Sequence, residues 1–214
     1  MNLYGYVGNK GIGDIDADGR KIYTSGDAAY RTKVKDSLVK LTSSDIEWKL
    51  ESGDNYVLCQ TKEGSSNIAS TLTSGVTGSV KIVLKNEGAT NGAWSDMTGD
   101  PRNVKINANA KVLLHIIEPT TTDGVYRHVK FYAQKEVSWE AMLWHELAGH
   151  AILGLNHPTD DWNHWNKGFS STPPAGYGTR EDPTITEENK ARAVLVETAR
   201  APFYWGWETP SLPK

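Results

Sequence analysis

The sequence predicts an α+β fold, and three observations carry that expectation. Tyr30, Val34, Leu38 and Leu41 recur at helical spacing, with Lys and Arg between them. Runs rich in β-branched and aromatic residues follow at 56–61, 80–85, 111–117 and 126–134, and read as strands. Ser138 then precedes Trp139–Leu155, a stretch too uniformly apolar for a surface helix. A helix, a set of strands and further helices, in that order, suit a small, mostly antiparallel sheet packed on a buried helix.

Each element has its own signals. Residues 1–20, rich in Gly, Asn and Asp, read as turns. Ser25 or Asp27 can cap the first helix. A second, short helix is expected after Ser44, through Ile46 to Leu50. The Gly/Ser/Thr-rich stretch 64–79 and the Gly/Asn/Asp-rich stretch 86–103 read as loops. Asp123-Gly124 suits a hairpin turn between the last two strands. In the apolar helix Glu140 lies near the positive end, and Gly154 and Pro158 mark the stop. Residues 158–183 form a long loop whose aromatics argue against disorder. Thr184 or Thr186 caps a last helix to about Ala199, with Thr184 and Glu187 at capping-box spacing.

Composition narrows the function classes. The net charge of −3 advertises no basic surface, which weighs against nucleic acid as a partner. No apolar run approaches the ~18–20 residues that cross a bilayer. Met1 leads into polar NLYGYVGN, without the basic and apolar segments of a signal peptide. Cys59 is the sole cysteine, so the fold cannot depend on an internal disulfide and suits a reducing cytosol. Eight Trp and nine Tyr favour a core or cleft rich in aromatics.

The chemistry concentrates in WHELAGHAILGLNHP, residues 144–158, which holds three of the six histidines. A catalytic zinc takes three protein ligands, commonly imidazoles, and leaves one position open. His145 and His150 are five residues apart, which at ~100° per residue leaves the rings ~140° out of step on a regular helix. A π-bulge removes that mismatch, because one i→i+5 turn absorbs the additional residue. Ala148-Gly149 is a suitable place for it. A rival set, Glu146, His150 and His157, falls on one face of an unbroken helix, but Gly154 and Pro158 oppose such a helix. Glu146, beside the first ligand, is the candidate general base. Tyr177, in AGYG, is a candidate oxyanion donor, and His164, between Trp162 and Trp165, a candidate for the cleft wall. Without a metal, these histidines would be polar spots on a core helix.

HELAGH resembles the H-E-x-x-x-H motif of dipeptidyl peptidase III, a zinc peptidase family in which the lengthened motif still binds metal. That family also carries E-E-x-x-A-E, whose second Glu is a ligand. Glu187-Glu188-Asn189-Lys190-Ala191-Arg192 approximates it, with Arg replacing the last acid, so the resemblance implies Glu188 as a possible third ligand. Gly154-Leu155-Asn156-His157-Pro158 is similar to the G-x-x-H-P end of the metzincin motif, which implies His157 instead. The spacing from His150 to Gly154 is one residue longer than in metzincins, and no Met follows Met142 to form a Met-turn. His157 is preferred, ahead of Glu188 and of Asp160, Asp161 and Glu181.

Near the start, Asp14, Asp16 and Asp18 with Gly19 imitate an EF-hand opening, but position 12 would be Ser25 where a bidentate Glu is required. NLYGYVGN (2–9) and Asp16-Ala17-Asp18-Gly19 resemble the end of the RHS-repeat core, with Ala replacing Pro in its D-P-x-G box. In that family the box marks the junction between a conserved shell and a variable C-terminal toxin. Ile22–Asp27 and Glu188–Arg192 are similar to segments of RHS-linked metallopeptidase domains. The resemblance implies a junction at 1–20 and a zincin-like toxin domain at 21–214. It would be a zinc metallopeptidase, secreted or injected, acting on protein or peptide, with its own RHS shell and an immunity protein as partners. A zinc amidase acting on peptidoglycan, an RHS toxin of another kind such as a nuclease, and a non-catalytic binding module with a structural metal remain the alternatives. An edge strand, with 126–134 the first choice, would hold a peptide substrate.

Overall fold

Ile22 and Tyr23 are buried, and this short apolar stretch becomes a strand, β1 (Ile22–Thr24), near the centre of the sheet. The computed structural model describes residues 21–87, 93–111, 113–122, 125–157 and 182–200. The first helix, α1 (Ala28–Thr42), starts at Asp27, whose carboxylate accepts the amide of Tyr30. Its Tyr30, Val34, Leu38 and Leu41 point into the core, as their spacing predicts.

Residues 46–50 form a strand rather than the short helix expected there. β2 (Asp45–Ser52) pairs antiparallel with β3 (Asn55–Lys62). Ile46 is buried and Trp48 half-buried, while Glu47 and Lys49 are exposed, a period of two that outweighs helix propensity once β3 supplies a partner. The Ser/Thr-rich stretch expected to be a loop contains a helix, α2 (Ala69–Thr77), which buries Ala69, Leu72 and Gly75. The other expected loop contains β5 (Ala93–Asp96) and the first residues of β6 (Arg102–Ile106), after β4 (Ile82–Lys85).

The six strands run in the order β2-β3-β1-β4-β6-β5. β1 with β4 and β4 with β6 are parallel, and the other three pairs are antiparallel. β7 (Leu113–Thr122) and β8 (Val125–Glu136) make a separate two-stranded antiparallel ribbon, in agreement with the expected hairpin; the turn residues 123–124 lie outside the described residues.

Helix α3 (Trp139–Trp144) is capped by Ser138 and continues without a break into a π-helical segment, His145–Ile152. Ala141, Leu143, Trp144, Leu147 and Ala148 are fully buried, so this rod forms the centre of the core between sheet and helices. The last helix, α4 (Pro183–Val194), packs across it. Its cap is Asp182, not Thr184 or Thr186: the Asp182 carboxylate accepts the amides of Thr184 and Ile185, and Pro183 takes the first helical position. Among the described residues no helix is long and apolar enough to cross a membrane.

Candidate metal centre

The surplus residue between His145 and His150 is absorbed by widening the helix. Leu153 N–H reaches back five residues to the Ala148 carbonyl at 3.0 Å. Such a turn brings residues five apart over one another, and the His145 and His150 ring centroids stand 5.1 Å apart. Packing accounts for the place as well as the pitch. A Cβ on Gly149 would lie 2.7 Å from the Thr184 methyl group, so only glycine lets α4 approach here. A Cβ on Gly75 would similarly collide with Ile152, at 2.5 Å, where α2 closes on the same segment.

The chain then reverses. Gly154 adopts φ +69° and its amide donates to the His150 carbonyl, the bond of a left-handed helix stop, while Leu155 N–H donates to the Gly149 carbonyl. Arg102 from β6 donates to the Ala151 carbonyl at 2.6 Å, a cation at the negative helix end. This reversal carries His157 back over the helix, with ring centroids 5.3 Å from His145 and 4.8 Å from His150. The ligating nitrogens of the three histidines all lie within 4.8 Å of one another.

The outer nitrogens decide what the inner ones can do. His145 Nδ1 lies 2.9 Å from Glu188 Oε2, His150 Nδ1 lies 2.7 Å from the Leu155 carbonyl, and His157 Nδ1 lies 2.6 Å from Asp182 Oδ2. An acceptor at each Nδ1 places the proton there, and a neutral imidazole has only one. The Nε2 lone pairs are therefore left facing inward, and those of His150 and His157 stand 3.2 Å apart. Two acceptors so close repel unless a cation lies beside them. Tetrahedral zinc at ~2.0–2.1 Å from each nitrogen would set them roughly 3.3 Å apart, so the His150–His157 pair has the spacing such an ion needs. A partner at the second nitrogen is the usual support of a metal-binding histidine.

Electrostatics act the same way. Burial lowers the pKa of His150, as does the neighbouring His145; Glu146 and the Leu155 carbonyl oppose this only partly. His150 is thus held as the neutral ligand form. Burial alone would raise the Glu188 carboxyl, but Arg200, His145 and Arg192 outweigh it and hold the group ionised far below the usual carboxylate range. Arg192 Nε donates to Glu188 Oε1 at 2.7 Å, and Arg200 donates to Oε2. Burial likewise opposes Asp182, and its bond from His157 together with the helix amides holds it low.

The three histidines of the motif thus come together, and Glu146 stands apart from them. The residue is 7% exposed and lies outside the histidine cluster, and its carboxylate accepts a 2.7 Å hydrogen bond from Ser95 on β5. The rival set Glu146/His150/His157 is not formed. Glu188, the alternative third ligand, supports His145 from behind. Tyr177, His164, Asp160, Asp161 and Glu181 lie outside the described residues, as does the segment 1–20.

Sequence reasoning missed Asp182 and Ser95. The Asp-Pro pair at 182–183 carried a cap signal that the Thr184–Glu187 spacing obscured. Nothing local marks Ser95, because its role arises from the approach of β5 to the helix. Among the described strands β8 pairs with β7 alone and so has an open edge, as expected, while β5 is an edge of the larger sheet and brings Ser95 to Glu146. No protein-family profile matches the chain, nor does any curated protein or solved structure.

Proposed function

We propose that residues 21–214 form a zinc-dependent peptidase. The observation that carries this reading is the convergence of ring nitrogens from three histidines, each with an oxygen at its Nδ1. His145, His150 and His157 would hold the ion. Among the described residues no fourth ligand joins them, which suits a catalytic site with an open position. A zinc held there supplies a Lewis acid for the scissile carbonyl and lowers the pKa of water to ~7. Glu146 accepts the proton that the attacking water loses and returns it to the leaving amine. β5 pairs with β6 on one side only among the described strands, and an extended peptide suits its other edge.

The setting we infer is a toxin tip, secreted or injected into a target cell, whose partners are its own RHS shell and an immunity protein. That inference is supported by the likeness of residues 2–9 and 16–19 to an RHS junction.

The test is metal analysis beside proteolysis. Wild type should hold about one zinc per chain, the ligand complement of one site. His145→Ala, His150→Ala and His157→Ala should each lose it, and Glu146→Gln should keep zinc while losing casein digestion. Full zinc in all three histidine variants would overturn the assignment. Zinc-loaded wild type that cleaves sacculi and spares casein would move the substrate to peptidoglycan.

A further inference from the structure

Ser95 belongs to the edge strand and touches the candidate base. Its Oγ lies 2.7 Å from Glu146 Oε2 and 3.2 Å from the Glu146 carbonyl oxygen. A hydroxyl has one proton, and the shorter contact to the charged group takes it. Among the described residues Ser95 is the only side chain bonded to this carboxylate. Strand alternation explains how it gets there: Trp94 is exposed on one side of β5, and Ser95 turns toward the π-helical segment on the other. The same four-residue strand is held in register on β6, with Ser95 opposite Val104.

We propose that Ser95 is a positioning residue that fixes one oxygen of Glu146, so that the other is presented to the reacting water and substrate. The proposal rests on the peptidase reading above and deepens it. A carboxylate on a side chain with three rotatable bonds samples several orientations, and a charge-assisted bond to Oε2 selects one. Because the donor sits on the strand suited to the substrate backbone, the base and the peptide share one reference frame. A shift of β5 moves both together.

The experiment compares Ser95→Ala, Ser95→Thr and Glu146→Gln in the full chain, with acetohydroxamate as the probe. This molecule chelates zinc through both oxygens and passes its hydroxyl proton to a neighbouring carboxylate, so its affinity reports where that carboxylate stands. Ser95→Ala should bind zinc as wild type does and acetohydroxamate about tenfold more weakly, the effect of one hydrogen bond. Ser95→Thr, which keeps the hydroxyl, should restore binding. On a casein-derived fluorogenic peptide Ser95→Ala should lower kcat with KM little changed. Hydroxamate affinity equal to wild type in Ser95→Ala overturns the proposal, as does a parallel loss of zinc, which would mark Ser95 as a structural residue only. A wild type that takes zinc but ignores acetohydroxamate, with Glu146→Gln identical to it, overturns the peptidase reading itself.

Discussion

The π-helical segment and α4 build the same site by opposite means. Residues 145–152 are almost wholly apolar around their two histidines and Glu146, and they are placed by packing: Leu147 and Ala148 are fully buried and Gly149 meets Thr184. α4 buries charge instead. Asp182, Glu187, Glu188 and Arg192 are all buried, and two of these carboxylates hold imidazoles. Packing thus places the helix that carries His145 and His150, while buried charge orients His145 and His157. Buried charge is costly unless every partner is present, so the two halves should fail differently when altered.

The largest effect should come from Glu188→Ala. It leaves the Arg192 and Arg200 guanidinium groups without their shared carboxylate, and breaking such a buried pair costs ~3–5 kcal/mol. A thermal or urea melt of the metal-free chain measures it. An effect under ~1 kcal/mol, the range of surface pairs, would erase the contrast between the halves.

Glu188→Gln and Asp182→Asn sharpen the comparison, because they keep shape and remove charge. Each should weaken zinc by ~10–100-fold in a chelator competition, the usual cost of losing a partner behind a ligand. His150 has a backbone carbonyl in that role and offers no equivalent variant.

Gly149→Ala attacks the packed half. The new methyl group drives into Thr184 and should cost ~1–3 kcal/mol, with the double change Gly149→Ala/Thr184→Ser recovering part of it by removing the methyl it strikes. A single variant as stable as wild type would show that close approach is not what places α4.

The most gradual effect is in pH. Glu188 is held below its ordinary value, so its contribution is present above the unfolded pKa of ~4.3 and is lost as pH falls toward the folded one. Melting temperature should decline from pH 5 downward, and Glu188→Gln should flatten that decline.

The site was more legible in the sequence than the sheet was. The five-residue spacing of His145 and His150 forces a choice between no shared metal and a widened helix, and Gly154 announces the reversal that returns His157. Those signals are local. β1 and β5 were missed because three or four residues carry too little pattern, and their partners lie far away in sequence. β2 was misread for the same reason: Ile46 and Trp48 alternate over too short a span to outweigh helical readings until β3 lies beside them. α2 hides in Ser, Thr and Gly because the residue it sets against Ile152 is a glycine, Gly75. Glu188 was singled out through a likeness that assigned it to the ion; its place behind His145 depends on how α4 crosses the rod.

The contact between His157 and Asp182 joins the two ends of residues 158–181 within 2.6 Å. Whatever length of chain runs between them, its ends are held by a ring and a carboxylate that belong to the candidate metal centre. Doubling such a stretch costs only ~0.6 kcal/mol in closure entropy. Insertions or deletions between the two residues should therefore leave this contact, and the histidine cluster it supports, in place.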